Sequence, residues 1–309
     1  MNGVFNIYKE QGFTSHDVVA VMRGILHERK LGHTGTLDPM ATGVLPVCAG
    51  RATKLCDLFS DRSKRYRAAL LLGRSTDTED VTGTTTEIDE AWRGLTDSEV
   101  TEAVLSFVGE YDQIPPMYSA KKTGGKKLYE YARAGVEIER KPAHLTIYSI
   151  DDITVELPRV YFTVSCSKGT YIRSLCRDIA QRLGCCGCME SLERERVGLF
   201  LKENAVTLDE LKRLKEEDRL GEAMISIDEL FAGMPYAVVS PEYDRYTYNG
   251  NKLIRSWIGD VKSDAEDAFG WSDVFRDGLA IRAHSGELIG IYRVSGDELV
   301  PEKLFFERG

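Results

Sequence analysis

The chain has 309 residues, of which 42% are hydrophobic and 29% charged, and a formal net charge of −9. This length and composition suit a globular protein with a sizeable core and a second small domain. No apolar run approaches the ~20 residues that a membrane span needs, and the N-terminus lacks the organisation of a signal peptide. We therefore expect a cytoplasmic protein that does not bind membranes.

The first helix is predicted to begin after Thr14, because Asp17 lies at the spacing of an acidic capping box. The residues that follow form an apolar stripe at helical spacing, which is typical of a helix packed on a core. This stripe consists of Val18, Val19, Met22, Ile25 and Leu26.

Residues 32–45, which come next, have neither helical nor strand periodicity. Three glycines and one proline fall within 12 residues and surround a single carboxylate, Asp38. The following Pro39 moves Asp38 out of the helical region and predicts a sharp turn that a partner can approach closely. By spacing alone, a purely structural turn is favoured over a catalytic aspartate.

Two strands and a helix are predicted further along the chain. Residues 65–72 are typical of a strand that ends at Gly73, and alternation over 160–166 predicts a second strand. Helical spacing then runs from Ile172 to Leu183. Because strands and helices mix without regular βαβ alternation, the sequence favours the α+β class.

The last part of the chain changes character near residue 232. An acidic helix is predicted over 209–230. Short strands separated by turn residues are predicted after it, over 279–283, 288–294 and 300–306. We therefore predict one domain over 1–231 and a small β-rich domain over 232–309.

Positive charge is concentrated in two segments despite the negative total. Residues 51–74 hold 7 Lys or Arg against 2 Asp or Glu, and residues 117–145 hold 7 against 3. Acidic residues dominate elsewhere, with 9 against 1 over 75–102. A bipolar surface can attract nucleic-acid phosphate with one face, although such runs are usually solvated helix faces. That alternative fits 117–145 less well, because tyrosines and glycines lie among its lysines.

Seven cysteines are present, and an odd number without a signal peptide predicts reduced thiols. Cys185, Cys186 and Cys188 are crowded enough to suggest a metal site. A zinc site, however, usually takes four ligands from two separated pairs, and the sequence has no second CxxC. We expect small, partly buried thiols at a helix-to-strand turn and no metal; an adventitious metal or oxidation site is the alternative.

The run GHTGTLDPMATGVLPV over 32–47 resembles the catalytic-aspartate motif of the tRNA pseudouridine-55 synthases, the bacterial T-loop branch of the pseudouridine synthases. Further stretches resemble this family in the same order over nearly the whole chain. They are KEQGFTSHDVV (9–19), KRYRAALLLG (64–73), IPPMYSAKKTGGKKLYEYAR (114–133), CSKGTYIRSLCRDIA (166–180), SLERERVGLF (191–200) and YNGNKL (248–253). Glu10 departs from the family, where proline is expected, and affects only local loop stiffness.

The resemblance implies a mixed-sheet pseudouridine synthase catalytic domain over 1–231, an RNA-gripping insertion at about 114–145 and a PUA-like RNA-binding domain over 232–309. It implies an enzyme that flips the T-loop uridine at position 55 of tRNA out of its stack. The enzyme breaks the C1′–N1 glycosidic bond, rotates the uracil and rejoins it through C5, without a cofactor. By the same resemblance, it binds the tRNA T-stem-loop as a monomer, without a guide RNA or an obligatory protein partner.

The resemblance also assigns catalytic residues. Asp38 is the candidate nucleophile, and Arg173, on the first turn of the predicted helix, is expected to pair with it and keep its pKa low. Tyr66 is expected to stack on the flipped uracil and to handle a proton through its hydroxyl.

The other assigned residues are expected to bind the RNA. His33 would fill the gap left by the extruded nucleotide or stack on a neighbouring base, and Tyr171 and Leu192 would line the uracil pocket. A structural role for His33 and ordinary core packing for Leu192 are the alternatives. Substrate contacts are also expected from five lysines, the last four in an insertion that is mobile without RNA: Lys64, Lys121, Lys122, Lys126 and Lys127.

Two other functions remain compatible with these residues. One is a non-catalytic RNA-binding protein on the same scaffold, and the other is the catalytic subunit of a guide-RNA modification particle. The combination of Asp38, Tyr66 and Arg173 favours an enzyme, because binding alone does not need a carboxylate that faces a phosphate-rich ligand. The lysine-rich insertion favours an enzyme that acts without a guide RNA.

Overall fold

The computed structural model describes residues 1–263 and 265–306. The strands in this part of the chain are β1 (Gly3–Lys9), β2 (Leu31–His33), β3 (Thr42–Ala49), β4 (Lys64–Leu72), β5 (Arg74–Thr76), β6 (Thr85–Ile88), β7 (Gly109–Gln113), β8 (Lys122–Thr123), β9 (Lys126–Lys127), β10 (Ala143–Glu156), β11 (Arg159–Cys166), β12 (Gly187–Val197), β13 (Phe200–Leu201), β14 (Met224–Ser226), β15 (Tyr236–Val238), β16 (Leu253–Ile254), β17 (Gly278–Arg282), β18 (Leu288–Ser295) and β19 (Glu298–Leu304).

The α-helices lie between these strands. They are α1 (Ser15–Leu26), α2 (Cys56–Ser60), α3 (Asp97–Leu105), α4 (Leu128–Arg133), α5 (Ile172–Arg182), α6 (Leu208–Glu216), α7 (Ile227–Leu230), α8 (Asp244–Tyr248) and α9 (Trp271–Val274).

One large sheet forms the centre of the molecule. Its strand order is β14-β1-β3-β12-β4-β11-β10-β7, with β2 beside β3 and β13 beside β12. Most neighbours are antiparallel, whereas β12 and β3 run parallel. This mixed sheet, with helices packed against it, confirms the predicted α+β class.

Strand β12 lies between β3 and β4, although it comes much later in the chain than these two consecutive strands. Its register places Arg194 opposite Gly43 of β3 on one side and opposite Tyr66 of β4 on the other. Gly43 has a φ of 106°, and a Cβ at this position would collide with the backbone of Arg194. Glycine is therefore required where β3 begins, and it allows the two strands to meet.

Local signals in the sequence place several elements correctly. Thr14 and Asp17 form the predicted capping box at the start of α1, with the Asp17 backbone N–H donating to Thr14 Oγ1 at 3.1 Å. The strands predicted over 65–72 and 160–166 are β4 and β11. The predicted helix that begins at Ile172 is α5, which ends next to Gly184 in a left-handed conformation with a φ of 74°.

The prediction of a single acidic helix over 209–230 is wrong. Helix α6 ends at Glu216, and Asp218 takes a left-handed conformation with a φ of 56° that ends the helix. The chain then forms β14, which pairs with the free edge of β1, before Ser226 caps the short helix α7. Pairing with a sheet edge outweighs the local helical preference of this segment.

A smaller sheet follows the large one in the chain. Its strand order is β15-β17-β18-β19-β16, and the last three predicted strands are β17, β18 and β19. All described strands of the large sheet precede residue 227, and all described strands of the small sheet follow residue 235. The domain limits 1–231 and 232–309 stay a prediction.

A continuous apolar core joins the two sheets. Phe59 of α2 packs on Trp271 with ring centroids 5.4 Å apart, and Phe231 stacks on the same tryptophan with ring centroids 5.0 Å apart. Trp271 is fully buried, and its indole Nε1 donates to the backbone oxygen of Leu230 at 2.7 Å. The same cluster includes Phe305, so the small sheet is packed against the large one rather than tethered to it.

The three crowded cysteines lie at the turn from α5 into β12, as predicted. Cys185, Cys186 and Cys188 are all buried as free thiols, and their burial is more complete than expected. Burial raises the pKa of each thiol to about 11. Across residues 1–263 and 265–306, no three His, Cys, Asp or Glu side chains are grouped as metal ligands. No helix in the same residues has the length and apolar character to cross a membrane.

We predict that Trp271→Ala lowers the free energy of unfolding by about 3–5 kcal/mol, because it leaves a cavity in the core that both sheets share. Urea denaturation followed by circular dichroism measures this change. Val294→Ala is the control, since Val294 is 39% exposed and its truncation should change the free energy by at most about 0.5 kcal/mol. An equal effect of the two substitutions would contradict a shared core.

Candidate active site

A cavity of about 530 Å³ opens beside the loop between β2 and β3. Backbone hydrogen bonds hold this loop in place: the Leu37 N–H donates to Ser15 Oγ at 2.8 Å, and the Ala41 N–H donates to the backbone oxygen of Asp38 at 3.0 Å. Leu37 is buried beneath this turn. The anchored turn presents the carboxylate of Asp38 to the cavity.

Arg173, from the first turn of α5, meets Asp38 in this cavity. Its Nε lies 2.9 Å from Asp38 Oδ2, and its Nη2 donates to Asp38 Oδ1 at 3.3 Å. The guanidinium also donates to the backbone oxygens of Thr78 at 2.9 Å and Tyr118 at 3.0 Å. Arg173 is buried, so these partners fix its position. The predicted ion pair is therefore present.

The prediction that Asp38 has a low pKa is wrong, although the ion pair does act in the predicted direction. Burial raises the pKa of Asp38 above the ordinary value, and this effect outweighs the lowering by Arg173. A second carboxylate, Asp80, raises it further. The Asp38 side chain is 34% exposed, but the walls of the cavity still remove much of its hydration. Without RNA, the ion pair thus limits the rise of the pKa and does not reverse it.

Tyr66 and Arg194 line the same cavity from adjacent strands. Arg194 lies directly opposite Tyr66 in the register of β12 and β4, and its charge acts on the Tyr66 hydroxyl. Burial raises the pKa of Tyr66, and the charge of Arg194 opposes that rise. Arg194 is 1% exposed, and its Nε and Nη2 donate to the backbone oxygens of Val44 at 2.7 Å and Gly35 at 3.2 Å.

Tyr171 and Leu192 also line the cavity. Tyr171 precedes α5, and the side chain of Gln113 holds its backbone in place. The Tyr171 N–H donates to Gln113 Oε1 at 2.8 Å, and Gln113 Nε2 donates to the Tyr171 backbone oxygen at 3.0 Å. Leu192 of β12 is almost fully buried and gives one apolar wall. The cavity therefore combines an ion pair with aromatic and aliphatic surfaces.

His33 lies at the end of β2 and is not among the described residues that line the cavity. Its ring packs edge-on against His16, with centroids 5.2 Å apart, and His16 does line the cavity. Burial lowers the pKa of His33 to about 4, so the ring is neutral at pH 7. Its Nδ1 accepts the Gly35 N–H at 3.3 Å, which leaves the proton on Nε2.

Lys64 lines the cavity, but its ammonium donates to the backbone oxygens of Ser60 and Arg62, the latter at 2.6 Å. Burial lowers the pKa of this lysine to about 8. Its ammonium is therefore occupied by the protein itself, and a contact with RNA needs it to leave these oxygens. The predicted substrate-binding role of Lys64 stays a prediction.

The predicted insertion contains a β8–β9 hairpin followed by α4. Gly124 and Gly125 form its tip with φ values of 59° and 87°, which favour glycine. Of the four lysines, Lys127 lines the cavity with Tyr129 and its ammonium lies 5.4 Å from that ring's centroid. The other three, Lys121, Lys122 and Lys126, are not among the described residues that line the cavity. Lys122 and Lys126 are exposed.

Comparison with known proteins identifies the family. The model for the N-terminal domain of TruB family pseudouridylate synthases matches residues 23–172, and the model for the tRNA pseudouridylate synthase B C-terminal domain matches residues 173–238. The chain is 50% identical to a protein named tRNA pseudouridine synthase B from Lachnoclostridium phytofermentans, over 89% of this chain and 88% of that protein. A protein of the same name from Bacillus pumilus is 45% identical over 94% of this chain and 93% of its own length.

The chain belongs to the TruB family of pseudouridylate synthases. It is therefore an enzyme that isomerises uridine to pseudouridine.

Solved structures share the fold of this TruB family member. A chain of a Cbf5–Nop10–Gar1 complex superposes with a TM-score of 0.69 at 26% identity, over 98% of this chain and 85% of that chain. A chain of an H/ACA ribonucleoprotein bound to a substrate RNA containing 2′-deoxyuridine gives a TM-score of 0.68 at 24% identity, over 99% of this chain and 86% of that chain. The second likeness shows the fold alone.

Sequence analysis missed three charged residues around the site of this TruB family member. Asp80 is buried, lies 4.0 Å from Arg173 and accepts hydrogen bonds from Thr78 Oγ1 at 2.9 Å and from Thr82. It was hidden in an acidic run, and the threonines on both sides were the available signal. Lys9 and Arg194 are the others.

Lys9 is fully buried behind the Asp38 loop and donates to the backbone oxygens of Phe13 at 2.6 Å and Pro39 at 3.3 Å. Burial lowers its pKa to about 8. Arg194 lies two residues beyond Leu192 in the same strand, so period-two alternation was the signal that pointed to the same face.

We predict that the pKa of Asp38 lies above the ordinary aspartate value and rises further in Arg173→Met, because the substitution removes the cation 2.9 Å away while burial remains. Carbon-13 NMR of carboxyl-labelled aspartate, assigned with Asp38→Asn, measures both values. In the control variant Arg159→Met, whose arginine pairs with Glu190, the pKa of Asp38 should not change. A pKa of Asp38 that is unchanged in Arg173→Met would contradict this account.

Proposed function

We propose that this enzyme converts the T-loop uridine at position 55 of tRNA to pseudouridine, with Asp38 as the catalytic carboxylate. The observation that carries the proposal is the two-point ion pair between Asp38 and Arg173 at a cavity lined by Tyr66. A cavity of about 530 Å³ has room for one nucleoside extruded from its stack. The relatives named tRNA pseudouridine synthase B support tRNA as the substrate.

The reaction is an isomerisation, so its atoms balance without an oxidant or a reductant. The C1′–N1 bond breaks, the uracil turns, and a C1′–C5 bond forms; C5 loses a proton and N1 gains one. The proposal therefore uses no cofactor and no metal. Asp38, in its ionised form, attacks or stabilises the sugar or the base while the two bonds exchange.

Arg173 is the group that makes an ionised Asp38 available in a site that disfavours charge. Its guanidinium is held by Thr78 and Tyr118 as well as by Asp38, so it does not need to reorganise during the reaction. Tyr66 stacks on the flipped uracil and exchanges a proton through its hydroxyl. Tyr171 and Leu192 complete the uracil pocket.

The RNA backbone is gripped by the insertion over about 114–145. Lys121, Lys122, Lys126 and Lys127 contact phosphates, and the exposure of Lys122 and Lys126 at the hairpin supports this role. His33, neutral and packed under His16, supports the surface that meets the RNA next to the extruded nucleotide.

The enzyme acts on free tRNA in the cytoplasm as a monomer, without a guide RNA. Identities of 45–50% to relatives named tRNA pseudouridine synthase B support this proposal, since the matching chain of the Cbf5–Nop10–Gar1 complex is only 26% identical. The domains over 1–231 and 232–309 then carry catalysis and additional RNA binding, respectively. Mapping of pseudouridine in tRNA transcripts incubated with the protein alone tests the whole proposal, and modification that depends on an added guide RNA would refute it.

We predict that Asp38→Asn lowers the single-turnover rate at least ~10⁴-fold while tRNA binding stays nearly unchanged, because an amide is not a nucleophile. Pseudouridine formation in a T-arm transcript at saturating enzyme measures the rate. Asp38→Ala is tested in parallel, since deamidation of the asparagine would restore some carboxylate.

The matched control for this prediction is Asp152→Asn, because the Asp152 side chain is 75% exposed and lies outside the cavity lining. Its rate should equal that of the unaltered enzyme. An Asp38→Ala protein that still isomerises uridine at a near-normal rate would remove Asp38 from the proposal.

We predict that replacing the insertion lysines with glutamine weakens tRNA binding and flattens its dependence on salt. Each lost phosphate contact should reduce the slope of log K against log salt by roughly 0.7 to 0.9, because fewer counterions are released. The chemical step should change less than binding. The substituted residues are Lys121, Lys122, Lys126 and Lys127.

Binding titrations at several salt concentrations, with single-turnover rates at saturating enzyme, separate the two effects. The control removes four positive charges elsewhere, at exposed positions on α6 and just after it: Lys212, Arg213, Lys215 and Arg219. Equal slopes for the insertion variant and the unaltered enzyme would mean that these lysines are only a solvated face.

A further inference from the structure

Arg194 is a buried cation at the centre of the large sheet. It is 1% exposed and lies in β12, between Gly43 of β3 and Tyr66 of β4. Its guanidinium donates to the backbone oxygens of Gly35 and Val44, and it lines the cavity beside its register partner Tyr66. One side chain thus connects both ends of the loop that carries Asp38 to the tyrosine of the neighbouring strand.

No ion pair within 4.0 Å joins Arg194 to a carboxylate among residues 1–263 and 265–306. Burying an arginine without such a partner is costly, because hydration of the charge is lost. Together with burial, its charge lowers the pKa of the buried Lys9 and of Lys64, each to about 8. A sheet that only needed packing would hold an apolar residue here, as it does at Leu192.

We infer that Arg194 is a positioning residue of the isomerisation: it holds the Tyr66 oxygen as the proton acceptor for C5 and fixes its spacing to the Asp38 loop. This inference rests on the proposed function, in which Tyr66 exchanges a proton with the uracil. Arg194 itself touches no reacting atom and acts through Tyr66 and the loop backbone.

The proton balance shows why a cation is useful at this place. When C5 has joined C1′, the hydrogen on C5 must leave as a proton, and a Tyr66 phenolate accepts it. N1 takes a proton from water, and the hydroxide left behind deprotonates Tyr66 again, so no proton is consumed overall. The Arg194 N–H donates to the phenolate oxygen and stabilises its negative charge, while the guanidinium keeps its own proton.

A double-mutant cycle between Arg194→Gln and Tyr66→Phe tests this inference. The substrate is a T-arm transcript with tritium at C5 of uridine, and the release of tritium is measured in single turnovers at saturating enzyme. In the otherwise unaltered enzyme, Arg194→Gln should lower the rate by about 10²–10³-fold, the scale for removing one preorganised donor. In the Tyr66→Phe background, it should lower the rate much less, because the oxygen that it stabilises is already absent.

The pH profile gives a second readout that a purely structural role would not move. Loss of the cation raises the pKa of Tyr66, because burial remains unopposed. The rate of Arg194→Gln should therefore rise with pH at higher values than that of the unaltered enzyme. The pH profile of Arg194→Lys, which keeps the positive charge, should lie between those of Arg194→Gln and the unaltered enzyme.

Three outcomes would overturn the inference: an unchanged rate in Arg194→Gln, equal losses in both backgrounds, or an unshifted pH profile. Circular dichroism checks the fold, and if Arg194→Gln is unfolded, the same cycle with Arg194→Lys decides. Arg159→Gln is the control, since this arginine pairs with Glu190 on the surface. An unaltered enzyme that releases no tritium from the transcript would refute the proposed function instead.

Discussion

The site depends on placing a carboxylate next to a cation where little water remains to stabilise either. Arg173 satisfies this constraint because it has three kinds of partner: Asp38, the backbone oxygen of Thr78 and that of Tyr118. These partners come from three separate segments of the chain. The Asp38 loop, the turn that contains Thr78 and the insertion therefore all have to be in place around α5 before the ion pair is complete. The ion pair is as much a product of the whole fold as of the two residues.

The large sheet meets this requirement through the position of one strand. By running between β3 and β4, β12 brings the Asp38 loop and the basic strand with Tyr66 to the same end of the sheet. Gly43 allows the close approach, and Arg194 fills the contact with hydrogen bonds. Hairpins between consecutive strands could not give this order, because β12 comes from much later in the sequence than the two strands that it separates.

The sequence predicts elements better than it predicts the site. Capping and periodicity are local, so α1, α5, β4 and β11 follow from residues a few positions apart. The prediction of a helix over 209–230 is wrong because β14 forms by pairing with β1, and no local sequence pattern indicates this pairing. The partnership of Asp38 and Arg173 came from family resemblance, not from spacing. Arg194 and Asp80 escaped attention because a buried charge and a solvated one look alike in a charged run.

The direction of the Asp38 pKa shows the same limit. Pairing with an arginine predicts a lower value, but the extent of burial decides the sign, and burial is a property of the assembled cavity. His33 shows the same limit for position: the family resemblance implies that it faces the RNA, but only the structure shows that its ring packs against His16 of α1 and lies outside the cavity lining. The sequence is thus enough to assign the candidate catalytic residues, whereas their charge states depend on how the folded chain packs around them.

The hydrogen bond from Arg173 to the Tyr118 backbone oxygen links the insertion to the ionisation of Asp38. The ordering of the insertion and the ionisation of Asp38 both involve the Arg173 guanidinium, so thermodynamic linkage makes their coupling reciprocal. If the ordered insertion strengthens the ion pair, then the ionised carboxylate must strengthen the ordered insertion by the same free energy. Proton release at Asp38 and ordering of the insertion then become two aspects of a single equilibrium, so the order of a surface segment acquires a dependence on pH.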